Sequence, residues 1–123
     1  MLTLAATTRV FFCIQPVDMR KSFDGLFGLA CAFLGQDPLS GHFFVFRNRS
    51  GDRLKVLYWD RDGLAIWYKR LEKGTFRMPT ACADANSVEL DACQWALILQ
   101  GIDLSTARRL PRYSLPNPQP PTS

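Results

Sequence analysis

The chain has 123 residues, 47% of them hydrophobic, and carries 15 Lys and Arg against 11 Asp and Glu, for a formal net charge of +4. That suffices for one small folded domain and leaves little room for a second, and the basic surplus favours polyanionic partners such as nucleic acid or an acidic membrane surface. No stretch approaches the roughly 20 apolar residues that span a bilayer, and Arg9 follows the first apolar run rather than preceding it, so no membrane segment or secretory leader is expected and a cytoplasmic setting is.

Residues Arg9 to Ile14 (RVFFCI) are rich in β-formers and closed by Pro16, which predicts a short strand. From Asp18 the period changes: Met19, Phe23, Leu26, Phe27, Ala30, Phe33 and Leu34 recur at three- and four-residue steps, predicting a helix that runs to about Leu34 and stops at Gly35. Ser22, Gly25, Gly28 and Ala32 form a small-residue stripe on the same helix. Glycine there costs about 1 kcal/mol relative to alanine unless close packing compensates, so a close neighbour is expected on that face.

Past QDPLSG, a strand is expected over His42 to Arg47, then a turn at Asn48-Arg49-Ser50-Gly51 and a second strand from Arg53 to Trp59. The Asp60-Arg61-Asp62-Gly63 turn then leads into Leu64 to Leu71. If this hairpin closes with Trp59 opposite Leu64, then Leu57 faces Ile66, Lys55 faces Tyr68 and Arg53 faces Arg70, all on one side. The other side carries Leu54, Val56, Tyr58, Ala65, Trp67 and Leu71, and it is the expected seat of the main helix. Leu64, Trp67, Tyr68 and Leu71 also fit a helical step, so strand and helix both stand open for residues 64–71. A turn at Glu72-Lys73-Gly74 should introduce a short strand from Thr75 to Met78.

Thr80 to Ser87 reads as a connection. Asp91 with Gln94 forms a capping box, and Leu90 can pack on Trp95 as a hydrophobic staple, predicting a helix from Ala92 to Gln100 with Gly101 as its C-cap. The region Asp84 to Asp103 holds acidic residues and no basic ones, and could dock on the basic ribbon or face solvent. From Leu110 the tail LPRYSLPNPQPPTS has no apolar period and reads as disordered. The expected fold is therefore α+β: a small antiparallel β-meander of about four strands packed against one main helix, with a short C-terminal helix. Residues 1–103 make the single domain and 104–123 the proline-rich tail.

Catalytic chemistry finds little purchase. Cys13, Cys31, Cys82 and Cys93 are widely spaced without a C-x-x-C pair, which argues for buried free thiols over disulfides or a zinc knuckle. His42 is the single histidine, and no phosphate-cradling glycine fingerprint is present, so no cofactor and no small-molecule substrate are expected. Asp52, Asp60 and Asp62 could suggest a two-metal nuclease. However, aspartate is a preferred turn residue, and Asp52 would lie roughly 25 Å from Asp60 along an extended strand, too far for a shared metal. No catalytic or metal-binding residue is assigned.

Charge is the more informative signal. Between Phe43 and Met78 lie Arg47, Arg49, Arg53, Lys55, Arg61, Lys69, Arg70, Lys73 and Arg77 against Asp52, Asp60, Asp62 and Glu72, a local excess above that of the whole chain. Phosphate contact is assigned to Arg47, Arg49, Arg53, Lys55, Arg70 and Lys73, with Tyr68 or Trp59 available to stack on bases. Arg20 and Lys21 join them, because two cations at the start of the first helix are favourable when a phosphate occupies its N-terminus. With no phosphate there, the two side chains would simply point outward with Asp18 as cap.

Three segments carry a resemblance: VDMRKSFDGL (17–26), DPLSGHFFVFRNRSGDRLKVLYWD (37–60) and DGLAIWYKRLEKGTFRMP (62–79). They resemble the small accessory protein of bacterial insertion sequences of the insertion-sequence-66 family, called TnpB or Orf2-like, and not the RNA-guided nuclease that shares the first name. The resemblance covers residues 9–103. It implies a role in transposition beside a separate, larger transposase that carries the catalytic acidic residues. The expected function is thus a non-catalytic transposition accessory that binds DNA at element ends or the transposase–DNA complex. An adaptor that contacts only the transposase is the alternative, and a metal-dependent nuclease the third reading.

Overall fold

The computed structural model describes residues 7–77, 85–100, 102–103 and 108–109, the last two pairs as backbone. Five strands form one sheet: β1 (Val10–Cys13), β2 (Phe43–Arg47), β3 (Arg53–Asp60), β4 (Gly63–Arg70) and β5 (Ser87–Leu90), in the order β4-β3-β2-β1-β5. Helix α1 (Phe23–Ala32) links β1 to β2, and α2 (Ala92–Gln100) follows β5. A further two-residue ladder joins β6 (Ile102–Asp103) to β7 (Arg108–Arg109).

The α+β class agrees with the sequence, but the sheet is not an antiparallel meander of four strands. β1 runs parallel to β2 and antiparallel to β5, placing it inside the sheet. Being covered on both faces, β1 has four buried residues in a row, which explains its uninterrupted apolar sequence. β5 has no counterpart in the sequence reading, in which the connection Thr80 to Ser87 leads on to the α2 cap. Conversely, Thr75 to Arg77 form no strand, and Met78 lies outside the described residues. Phe76 instead turns inward, fully buried, and its N–H donates to Gly51 O at 2.8 Å.

The β3–β4 hairpin has the expected register throughout, from Arg53 opposite Arg70 to Asp60 opposite Gly63. Residues 64–71 are therefore strand up to Arg70, not helix. Arg61 in the turn adopts φ 61°, the handedness that matches the twist of the flanking strands.

Alternation along the strands makes two cores. Val10, Phe12, Phe43, Val45, Leu54 and Val56 face Phe76 and the α2 residues Trp95 and Ile98. Phe11, Cys13, Phe44, Phe46 and Leu57 face the α1 residues Leu26 and Ala30, with Leu34 just beyond. The main helix thus covers the Leu57 side of the hairpin and not the Leu54 and Val56 side. The reason is that the cation-bearing side is divided along its length: Arg53 and Arg70 occupy one end, whereas Leu57, Ile66 and Leu64 leave the other end apolar for α1 to cover.

Helix α1 starts at Phe23, after Ser22, and not at Asp18. The preceding residues have other partners: Asp18 Oδ1 accepts from the Arg20 N–H, and the Met19 and Lys21 carbonyls accept from Lys55 Nζ. The helix ends at Ala32 with Phe33 as its C-cap, short of the expected end at about Leu34, and Gly35, at φ 66°, lies beyond it and lets the Gln36 N–H return to Ala30 O at 3.0 Å. The small-residue stripe has no close neighbour of the kind expected. A Cβ on Gly28 would meet nothing within 4 Å, and the nearest atoms to one on Gly25 would be the stem of Lys21, from just before the same helix. At α2 the capping box forms as predicted: Gln94 N–H donates to Asp91 Oδ1 at 2.8 Å and Asp91 N–H to Gln94 Oε1 at 3.0 Å. Leu90 and Trp95 are buried in the same core. Gly101 lies outside the described residues.

Candidate nucleic-acid interface

The turn from Asn48 to Asp52 is organised by its own side chains. Asn48 Oδ1 accepts from the Gly51 and Arg53 N–H groups at 2.9 and 3.0 Å, while Asn48 Nδ2 donates to Asp52 Oδ1 at 2.8 Å. Ser50 Oγ donates to the same carboxylate oxygen at 2.9 Å. Donation from Asn48 first, then Ser50, holds the Asp52 carboxyl below its ordinary range. Gly51 sits at φ 80°, and an added Cβ would collide with the Arg47 guanidinium. The network uses every polar side chain of the turn except Arg49, which is left exposed at its apex.

A second segment, Pro16 to Lys21, runs beside this turn. Its anchor is Lys55: although a lysine, it is 8% exposed, and its Nζ donates to Met19 O at 2.7 Å and Lys21 O at 2.8 Å. Asp18 pairs with Arg20, Oδ2 lying 2.7 Å from Arg20 Nη2. Hydrogen bonds from the Arg20 side chain and then its backbone N–H hold the Asp18 carboxyl down at about 2. Because the Arg20 side chain is 92% exposed, the pair is a surface pair of small energetic weight.

Between these segments and the open end of the hairpin lies a cleft of about 570 Å³. It is lined by Arg20, Arg49, Arg53, Asp18, Tyr68 and the Asn48–Ser50 turn, with Pro16, Val17 and Met19 supplying apolar wall. Tyr68 is 48% exposed, its ring lies 4.8 Å from Lys55 Nζ, and its hydroxyl accepts from Arg53 Nη1 at 3.4 Å. Three arginines from two stretches of the chain, Arg20 from one and Arg49 and Arg53 from the other, thus line one concavity whose lining includes a single carboxylate residue.

The family described as IS66 Orf2 like protein matches residues 8–109. The chain belongs to that family. As an IS66 Orf2-like protein it is transposition-associated, in agreement with the resemblance read from its motifs. Two proteins of Sinorhizobium fredii (strain NBRC 101917 / NGR234) are similar to it. The uncharacterized protein y4jC is 35% identical over 103 residues, covering 84% of this chain and 86% of its own. The uncharacterized protein y4hO is 36% identical over 103 residues, covering 84% and 88%. No solved structure matches.

In this IS66 Orf2-like chain the cations singled out from sequence divide into three groups. Arg20, Arg49 and Arg53 meet at the cleft. Arg70 stands across the hairpin from Arg53 and pairs weakly with Glu72 at 3.4 Å, while Lys73, just beyond Glu72, and Lys21, next to Arg20, are exposed. Arg47 and Lys55 are structural ties rather than exposed contacts. Arg47 Nε donates to Phe76 O at 2.8 Å, binding the Phe76 loop to the sheet, and burial, with the charge of Arg77 adding, pulls its guanidinium below its ordinary value. Arg20 and Lys21 do not lie in the first turn of α1 but directly before its N-cap Ser22, with Arg20 paired to Asp18. Trp59 is half-buried at the opposite end of β3 from the cleft.

Asn48 and Ser50 line the cleft although their sequence pattern marks them only as a turn. Asp18 is the partner of Arg20, an arrangement that the D-x-R spacing could have suggested. Within the acidic region, α2 packs through Trp95 and Ile98 on the Leu54 and Val56 side of the ribbon, Asp84 lies outside the described residues, and β5 lies at the far edge of the sheet from β4. Glu89 pairs there with Arg9 at 2.6 Å, and Asp91 caps α2. His42 accepts the Arg9 N–H at Nδ1, a structural use. Among the described residues, Cys13 is a buried free thiol as expected, whereas Cys31 and Cys93 are free but exposed. Among them, too, no three His, Cys, Asp or Glu side chains are grouped to hold a metal, and no helix is long and apolar enough to cross a membrane.

Proposed function

We propose that this protein is a non-catalytic accessory of bacterial insertion-sequence transposition that binds DNA, or a transposase–DNA complex, through the basic end of its β3–β4 hairpin. The observation that carries the reading is the convergence of Arg20, Arg49 and Arg53 on one cleft. The Asn48–Asp52 turn brings Arg49 and Arg53 together, but Arg20 comes from a distant segment, so no single local requirement for folding collects all three. Arg53 also stands directly opposite Arg70, a cross-strand like-charge pair that is locally unfavourable and that a phosphate would relieve.

Binding of this kind releases counterions, so affinity for DNA carrying element ends should fall steeply with salt. Arg49→Ala together with Arg53→Ala should weaken binding and reduce the slope of log K against log salt by about 2. Fluorescence anisotropy across a salt series measures both quantities; a slope unmoved by the double substitution would remove the cleft from the interface. A second reading, an adaptor that contacts the transposase without touching DNA, is favoured by Phe23 and Leu39, which are 44% and 49% exposed. Co-purification with the transposase from nuclease-treated lysate, lost on Phe23→Ser with Leu39→Ser but kept on Arg49→Ala with Arg53→Ala, would support that reading instead.

A further inference from the structure

Proteins that read duplex DNA by its base edges push a helix or a two-stranded ribbon into the major groove, which requires a convex element. The basic residues gathered here line a concavity instead. Unpaired strands are held by the other arrangement, a cationic groove with an aromatic side chain on which a base can stack. Tyr68 supplies that platform: it lines the cleft and is 48% exposed, although its cross-strand partner Lys55 is buried. The Lys55 ammonium, 4.8 Å from the ring centroid, steadies the ring from the protein side, while the exposed part of the ring borders the open space. Asp18, the one acidic lining residue, has both carboxylate oxygens occupied by Arg20, Oδ1 by its backbone N–H and Oδ2 by Nη2, so little free negative charge confronts a phosphate. The volume of about 570 Å³ lies within the range of sites that enclose small organic groups.

We propose that this cleft takes unpaired nucleotides of a single-stranded nucleic acid, one base stacked on Tyr68 and the neighbouring phosphates held by Arg49 and Arg53. The inference rests on the nucleic-acid-binding reading above and narrows its substrate class. Tyr68 then discriminates between strand states, while the arginines act on any phosphodiester.

The test is competition binding of the full chain to a short labelled single strand, the same strand annealed to its complement, and its ribonucleotide counterpart, all at one salt concentration. Single strand should outcompete duplex, and Tyr68→Ala should weaken single-strand binding about tenfold, the effect of losing one base–aromatic stack, while leaving duplex binding unchanged. Tyr68→Phe keeps the ring and should restore single-strand affinity, which separates stacking from loss of the hydroxyl. Arg49→Ala, at an exposed turn apex, should weaken all probes alike. Thermal unfolding of each variant establishes that the fold is intact. Tighter binding of either the deoxy or the ribo strand supports the same chemistry and identifies its source. Equal affinity for single strand and duplex, or a Tyr68→Ala effect shared by both, overturns this inference and leaves nucleic-acid binding standing. Absence of binding to every probe overturns both.

Discussion

The two ends of the sheet treat charge in opposite ways. At the β5 edge each acidic side chain among the described residues has a local partner: Glu89 receives Arg9 in a two-pronged pair, and Asp91 caps α2 through Gln94. At the hairpin end the carboxylates stabilise turns, while Arg49 and Arg53 face a cleft and Arg53 stands against another arginine. Charge that the fold consumes is evidence of stability, whereas charge that the fold leaves facing open space is where a polyanion gains most. The same contrast explains why net charge alone is a weak guide. Lys55 and Arg47 belong to the same basic run but are committed to carbonyl oxygens of Met19, Lys21 and Phe76.

If the β5 end serves stability and the hairpin end serves binding, substitutions should separate the two. The largest effect is expected from Trp95→Ala, which empties a fully buried position and should destabilise by about 3–5 kcal/mol in chemical denaturation, without altering the DNA affinity of the folded fraction. Gly51→Ala should cost about 2–3 kcal/mol, since it combines a left-handed backbone with a collision against Arg47. Unlike Trp95→Ala, it should weaken DNA binding as well, because it displaces the turn that carries Arg49. Asp91→Ala removes one half of the capping box and should cost about 1 kcal/mol with binding unchanged.

The smallest effect is a titration. Asp18 should protonate at about 2 against its ordinary 3.8, because ionised Asp18 is held by Arg20. A depressed carboxyl contributes stability that is present above its ordinary value and lost as pH falls through the folded one, so the Asp18–Arg20 pair is intact at neutral pH and opens only in acid. Carboxyl-carbon NMR should show the Asp18 midpoint returning toward 3.8 in Arg20→Ala. A midpoint that does not move would mean that Arg20 is not held at the cleft by this pair.

What could be read from the chain, and what could not, follows the range of the interactions. The hairpin register, the α2 bounds and the capping box were all legible, since each depends on residues a few positions apart: a two-residue turn sets which side chain meets which, and Asp91 reaches only to Gln94. The cleft was half legible. Its cations and Tyr68 were visible as residue types. Positions 49, 53 and 68 come together through the turn and the hairpin register, but only long-range packing, by way of Lys55 and the Met19 and Lys21 carbonyls, brings position 20 beside them. The motifs of the three quoted segments also sufficed to indicate the IS66 Orf2-like family, which the match over residues 8–109 bears out.

Tertiary structure alone decided the placement of β1 between β2 and β5, because parallel pairing across a helix leaves no local mark beyond an apolar run. It decided which face α1 covers, a competition between two half-apolar sides of the same ribbon that neither side's pattern resolves by itself. It decided, finally, that Lys55 is buried and Arg49 is not. Both are cations in one short stretch of chain, and the difference lies in whether another segment's carbonyl oxygens happen to stand within reach.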